Sequence, residues 1–298
     1  MEAPVERYLV QGQAQDAPRL LPEIAGRVRL VVTSPPYHNT IAYDSHARDA
    51  RANYRTRPAT DYAHAYLPML DQVWEACRDM LAPGGYLAIN AGTVLQDRYH
   101  FPLPQDIAAR LLARAGHWVF VRSIIWHKVT GGVRRAGIGI KLAMPGYWYP
   151  NIMTEHIIVL RKPGTVRPIV SDAPAEWWLP VWDLAPVPPR QISHPAPFPE
   201  DLPHQLVRML TEAGDIVFDP FLGAGSTAKA AFDLGRVPAG TDIVADYVAM
   251  ARARLAAPSL VRAQNLRLRV QPEAGFVPKR MKGFTRHGAG LATRMKRP

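Results

Sequence analysis

Apolar residues fall into two rhythms along the chain. Short continuous apolar runs end in turns rich in proline or glycine, and between them apolar positions recur every three to four residues. The first rhythm predicts strands buried on both faces, and the second predicts the helices that cover them. Strands are expected at residues 29–32, 86–89, 118–126, 155–160, 215–218, 236–241 and 266–270. Helices are expected at 61–81, 104–115, 202–213, 226–234 and 244–256. Residues 38–60 and 131–150 show no apolar period and read as loops, the second glycine-rich and aromatic. Eight prolines between 174 and 199 make 163–201 an extended crossing segment rather than a packed element. Strands alternating with helices predict an α/β fold with a mainly parallel, doubly wound sheet.

Composition narrows the class. Of 298 residues, 48% are hydrophobic and 20% charged, so a large core is available and global disorder is excluded. No apolar run approaches the roughly 20 residues of a membrane span, and no signal peptide is read at the N-terminus, so no membrane partner is expected. Cys77 is the single cysteine, which fits a cytoplasmic location, and it sits in a helical pattern as a small core residue. The net charge of +11 and pI near 10.0 favour a polyanionic partner. Basic residues concentrate at Arg48–Arg57 and in a Gly- and Lys/Arg-rich tail from Lys279 to Arg297.

Two turns carry chemistry. The later one, Asp219-Pro220-Phe221-Leu222-Gly223-Ala224-Gly225-Ser226-Thr227, leaves a predicted strand and enters a helix. Its glycines permit a tight turn and close approach of a ligand to the backbone. Gly223, Gly225 and Ala228 also satisfy a dinucleotide pattern. Asp219 argues against that reading, because a carboxylate before the glycines repels a pyrophosphate. The same carboxylate suits the ammonium group of S-adenosylmethionine, and Asp242, ending the next strand, suits ribose hydroxyls. No P-loop sequence occurs.

The earlier turn is Ser34-Pro35-Pro36-Tyr37, after a buried strand and Thr33. Two prolines fix φ and remove two donors, which leaves the carbonyls and the Ser34 hydroxyl as acceptors in a rigid array. An exocyclic amine on a nucleobase is a poor nucleophile because its lone pair is delocalised into the ring. Two acceptors gripping its hydrogens favour a tetrahedral nitrogen and free that lone pair. Tyr37 offers a flat face to a base extruded from the duplex.

Together, Thr33-Ser34-Pro35-Pro36-Tyr37 and the Asp219–Thr227 turn resemble the amino-methylating DNA methyltransferases, with the catalytic-first motif order of their β subgroup. Trp126-His127-Lys128, Glu155-His156 and His194-Pro195-Ala196-Pro197-Phe198-Pro199 extend the resemblance across most of 8–257. It implies a Rossmann-like methyltransferase fold of permuted motif order, with S-adenosyl-L-methionine as cofactor. It implies one domain over 1–270, with a catalytic half at 8–162, the crossing segment at 163–201 and a cofactor half at 202–270, before a basic tail at 271–298. Ser34 and the Pro35 carbonyl would hold the target amine, Pro36 would stiffen the turn, and Tyr37 would stack on the base. Asp219, Phe221, Gly223, Gly225, Ser226 and Thr227 would surround the cofactor's methionine end, with Thr33 a further cofactor-binding residue. Asp242 would bind its ribose, and His194 and Phe198 would line the pocket. The family's usual Gly-Asp is Gly12-Gln13 here, which puts Gln13 at the adenine contact, and Asp242 replaces a more usual glutamate.

Serine in the first tetrad position resembles cytosine-N4 enzymes, with adenine-N6 the alternative, because a carboxylate takes a proton from an adenine amine more readily than a hydroxyl. Arg48, Arg51, Arg55, Lys128, Arg134, Arg135 and Lys141 are the expected DNA contacts, with Trp126, Tyr147, Trp148 and Tyr149 as nearby aromatic faces. Trp177, Trp178 and Trp182 read as core or hinge packing. The histidines show no metal-ligand spacing, so no metal is expected. The expected partner is double-stranded DNA, with a second copy of the chain and a cognate restriction endonuclease as further candidates. Rival readings are an RNA or protein methyltransferase, a nicotinamide oxidoreductase, which leaves Asp219 and the tetrad unexplained, and a non-enzymatic DNA-binding protein.

Overall fold

In the computed structural model, which describes residues 8–38, 61–96, 99–128, 152–169, 171–187 and 198–261, the predicted apolar runs become neighbours in one sheet. The chain starts with β1 (Leu9–Gln11), a short α1 (Ala17–Leu20) and β2 (Val28–Thr33), which stops at the proline turn. A π-helical turn (Tyr62–Tyr66) opens α2 (Leu67–Met80), followed by β3 (Leu81–Ala91) and a hairpin of β4 (Val94–Gln96) and β5 (Tyr99–Phe101). Next come α3 (Leu103–Leu112), β6 (Val119–Lys128), β7 (Thr154–Arg161) and β8 (Val181–Leu184). The last elements are α4 (Asp201–Leu210), β9 (Ile216–Asp219), α5 (Ser226–Asp233), β10 (Val237–Asp242) and α6 (Ala245–Leu255).

The eight-stranded sheet has the order β1-β10-β9-β2-β3-β7-β6-β8, and only β7 runs against its neighbours. The central strands β2, β3, β7 and β9 are mainly apolar because both of their faces are covered. Val31, Leu87, Ile89, Ile158, Leu160 and Phe218 pack with α2 and α3 on one face. Their alternating neighbours Leu30, Val32, Ala88, Ile157, Val159 and Val217 pack with α4 on the other. In α2, Leu67, Leu70, Val73, Trp74, Cys77 and Met80 form the buried stripe that the helical period predicts. Cys77 is fully buried there, and burial pushes its thiol up.

Pro68 explains the π turn. It has no N–H to give to the carbonyl four residues back, and the adjacent Leu67 N–H instead reaches Tyr62 O, five residues back.

Three features depart from the sequence reading. The crossing segment is packed: a 3-10 turn (Ala175–Trp178) buries Trp177, and β8 pairs in parallel with β6. Pro174, Pro180 and Pro186 stand outside these short elements rather than excluding them. Neither β1 nor the β4–β5 hairpin is among the elements predicted from the apolar pattern. The predicted strand at 266–270 lies outside the described residues. Chain contacts divide at Arg262, and the unit from Ala263 onward is likewise outside them. Among the described residues, no helix is long and apolar enough to cross a membrane.

Candidate active site

The order of the strands reverses between β9 and β2: from β2 the chain builds outward through β3, and from β9 it builds outward through β10. Ligands of open α/β sheets bind at the carboxyl ends of strands beside such a reversal. Both sequence turns lie there, Ser34 after β2 and Asp219 ending β9.

One hydrogen bond joins them. Thr33 Oγ1 donates to Asp219 Oδ1 at 2.6 Å, across 186 residues of sequence. The Phe221 N–H donates to the same oxygen at 3.0 Å. Asp219 is 1% exposed, and its Oδ2 has no hydrogen-bond partner among the described residues. Burial pushes its carboxyl up to about 7, against the pull of the Thr33 and Phe221 hydrogen bonds and with a smaller push from Asp242. A buried carboxylate oxygen lacking a donor suits a cationic, hydrogen-bonding group such as an ammonium.

Asp242 ends the neighbouring strand. Its Oδ2 accepts the Gly223 N–H at 2.8 Å and its Oδ1 the Val244 N–H at 2.9 Å, and burial raises its carboxyl. β1 brings a third segment alongside, with the Gly12 N–H donating to Asp242 O at 2.9 Å. Gln13 follows, exposed, with its Oε1 accepting from Gln15 Nε2. Gln13, Asp219 and Asp242 therefore sit on three adjacent segments at one end of the sheet.

The glycine turn is shaped from within the fold as well. The Gly223 N–H is engaged by Asp242 rather than directed into the cleft. Gly225 has φ +78°, and a Cβ there would lie 2.6 Å from Ala251 Cβ, so α5 and α6 approach only because this position has no side chain. Ser226 Oγ donates to Phe198 O at 3.1 Å and Thr227 Oγ1 to Val32 O at 3.1 Å. These hydroxyls tie the turn to the segment entering α4 and to β2. Phe221 packs edge-on against Trp74.

In the proline tetrad, Pro35 is buried, and Ser34, Pro36 and Tyr37 are half-buried. Tyr66, set by the π turn, donates its hydroxyl to Pro36 O at 2.8 Å, and His38 packs against the Tyr62 and Tyr66 rings. Tyr37 OH donates to Glu155 Oε2 at 2.9 Å.

Lys128 requires a correction. Expected at DNA phosphates, it is buried and ion-paired with Glu155, so it does not present an open face to a backbone. Trp126 is also buried, with its Nε1 donating to Leu184 O at 2.9 Å, and does not form an exposed aromatic face. Trp177 and Trp182 are core residues as expected, whereas Trp178 is exposed. Arg48, Arg51, Arg55, Arg134, Arg135, Lys141, Tyr147, Trp148, Tyr149 and His194 lie outside the described residues. Sequence reading gave no role to Asn90, Glu155 or Tyr66. The available signal was a polar residue interrupting an apolar strand, Asn90 after residues 86–89 and Glu155 before 157–160.

A family model for N6/N4-type DNA methylases matches residues 28–253. The type II methyltransferase M.MjaI of Methanocaldococcus jannaschii is 31% identical over 193 residues, covering 57% of this chain and 61% of its own. M.BglII of Bacillus subtilis is 28% identical over 247 residues, covering 75% of this chain and 62% of its own. The chain thus spans about three fifths of the length of these two curated relatives. Among solved structures, TTHA0409 of Thermus thermophilus, complexed with S-adenosyl-L-methionine, superposes with a TM-score of 0.59 at 31% identity, over 83% of this chain and 93% of that one. The cytosine-N4-specific PvuII DNA methyltransferase superposes at 0.64 over 85% and 86% of the chains, at 18% identity, a likeness of fold.

Proposed function

Because this chain belongs to the N6/N4 family of DNA methylases, we propose that it methylates the exocyclic amine of a base in double-stranded DNA, with N4 of cytosine as acceptor and S-adenosylmethionine as donor. The Thr33–Asp219 hydrogen bond carries the reading, because it ties the acceptor-rich tetrad directly to the carboxylate of the cofactor turn.

Asp219 Oδ2 would receive the donor's ammonium, Asp242 would hold its ribose, and Gln13, His194 and Phe198 are assigned to the rest of the pocket. The donor supplies an electrophilic methyl group. The chain's residues prepare the nucleophile. Ser34 Oγ and the Pro35 carbonyl accept the two amine hydrogens, draw the nitrogen toward tetrahedral geometry and localise its lone pair. Tyr37 stacks on the extruded base. Tyr66 holds the Pro36 carbonyl, so the acceptors are set before substrate arrives. An N–C bond would form as the donor's S–C bond breaks, and the proton shed by the methylated amine would pass to solvent. Ser34 in the first tetrad position supports cytosine, because a hydroxyl grips an amine without taking its proton. Arg48, Arg51, Arg55, Arg134, Arg135 and Lys141 are the residues assigned to the DNA backbone.

Calorimetric binding of S-adenosylmethionine, followed by label transfer to unmethylated DNA in competition with RNA, tests this function. Binding with label in DNA supports it. Binding with label only in RNA or protein moves the substrate class and overturns it.

A further inference from the structure

Behind the tetrad lies a buried polar cluster that the reaction described above does not use. Glu155 is 7% exposed, Asn90 2% and Lys128 8%. Glu155 Oε2 accepts from Tyr37 OH at 2.9 Å and from Asn90 Nδ2 at 2.6 Å, and its Oε1 accepts from Lys128 Nζ. We infer that Glu155 is a positioning residue for methyl transfer: it pins the Tyr37 phenol, and with it the plane against which the base stacks.

The cluster is built for position rather than for stability. A buried ion pair is often no more stabilising than apolar side chains of the same volume. Apolar side chains, however, cannot hold a phenol by its far end. Tyr37 follows two prolines that fix the backbone on one side, and the bond to Glu155 fixes the opposite tip of the ring. Glu155 is itself immobilised. It is the second residue of β7, where its neighbour His156 pairs with Ala91, and it sits opposite Trp126 of β6. Gly92 makes room for it, since a Cβ there would lie 2.9 Å from Glu155 Cγ. Lys128 stands over the Trp126 ring at 5.1 Å, and Trp126 is held by β8 through Leu184 O. The frame runs from the tetrad through β3, β7 and β6 to β8. Glu155 is already engaged by three donors, so its part is orientation and not proton transfer.

This inference rests on Tyr37 stacking against the target base. The test is a double-mutant cycle of Tyr37→Phe and Glu155→Gln, with Lys128→Met/Glu155→Gln as a charge-neutral control for folding. Methyl transfer to DNA at saturating cofactor, the cofactor's calorimetric dissociation constant and cofactor-free melting are read in parallel. Each single variant is expected to lower kcat by about tenfold to a hundredfold, the loss typical of a misplaced reacting group, with cofactor affinity unchanged. The double variant falls no further, and the charge-neutral pair melts cooperatively yet stays slow. Wild-type kcat in Glu155→Gln, or losses that multiply in the double variant, would overturn the inference. If wild type transfers nothing to DNA, the proposed function fails separately. Coupling of the two substitutions in cofactor-free melting then supports the network, and additivity refutes it.

Discussion

Asp219→Asn separates what this buried carboxylate costs the fold from what it is proposed to do for the methyl donor. With its carboxyl raised from 3.8 to about 7 by burial, Asp219 binds its proton more tightly in the folded chain than in the unfolded one. Stability from this group is therefore greatest at low pH and is lost as pH rises from 3.8 through about 7. At about 1.4 kcal/mol per pH unit, the loss is on the order of 4 kcal/mol by pH 8, of which roughly 2–3 kcal/mol accrues between pH 5 and 8. Asparagine keeps an oxygen for Thr33 Oγ1 and the Phe221 N–H but does not titrate. Its amide adds a buried donor, a cost of about 1–3 kcal/mol that does not vary with pH. The diagnostic is therefore the slope. In urea unfolding of cofactor-free protein, the variant's stability relative to wild type should rise by roughly 2–3 kcal/mol from pH 5 to 8. Cofactor affinity should move the other way, weakening by about tenfold to a hundredfold at pH 8, the range of a charge-assisted hydrogen bond. In wild type, cofactor affinity should strengthen as pH rises toward 7, because on the proposed assignment only the charged carboxylate would attract the ammonium. Parallel wild-type and variant stability curves, or wild-type cofactor affinity in the variant, would refute the reasoning.

Other substitutions test other joints. Lys128→Met leaves Glu155 buried without its cation and should cost about 3–5 kcal/mol in chemical denaturation, largely restored by adding Glu155→Gln. Gly225→Ala meets both a left-handed backbone and the Ala251 side chain, so thermal unfolding should show a loss of roughly 2–4 kcal/mol. Tyr66→Phe removes the donor to the Pro36 carbonyl and should slow transfer by about threefold to tenfold, with the cofactor's dissociation constant unchanged by calorimetry.

How legible these features were depended on the range over which each is encoded. The runs at 29–32, 86–89 and 215–218 were readable because strands covered on both faces carry consecutive apolar residues, here 30–32, 87–89 and 216–218, and their terminal Pro or Gly turns mark where they stop. β1 is only three residues long, too short to show a period, and it is defined by pairing with β10 far along the chain. β8 was hidden among prolines because it pairs with β6 at residues with ladder donors, while the prolines stand outside it. Thr33, Asp219 and Asp242 were legible as strand-end residues, since strand ends converge at the sheet's carboxyl edge. Their bonds were not legible, and neither was the Glu155 cluster, which joins positions 27, 65 and 118 residues apart. Lys128 was misread because charge alone does not reveal whether a lysine faces water or a buried carboxylate.

The most direct test of the central claim is to incubate the protein with labelled S-adenosylmethionine and unmethylated double-stranded DNA, digest the DNA to nucleosides and identify the labelled species by mass spectrometry. The account predicts N4-methylcytosine, abolished by Ser34→Ala. N6-methyladenine would retain the amine chemistry while contradicting the assignment of cytosine. A methyl group on ring carbon would contradict the mechanism itself.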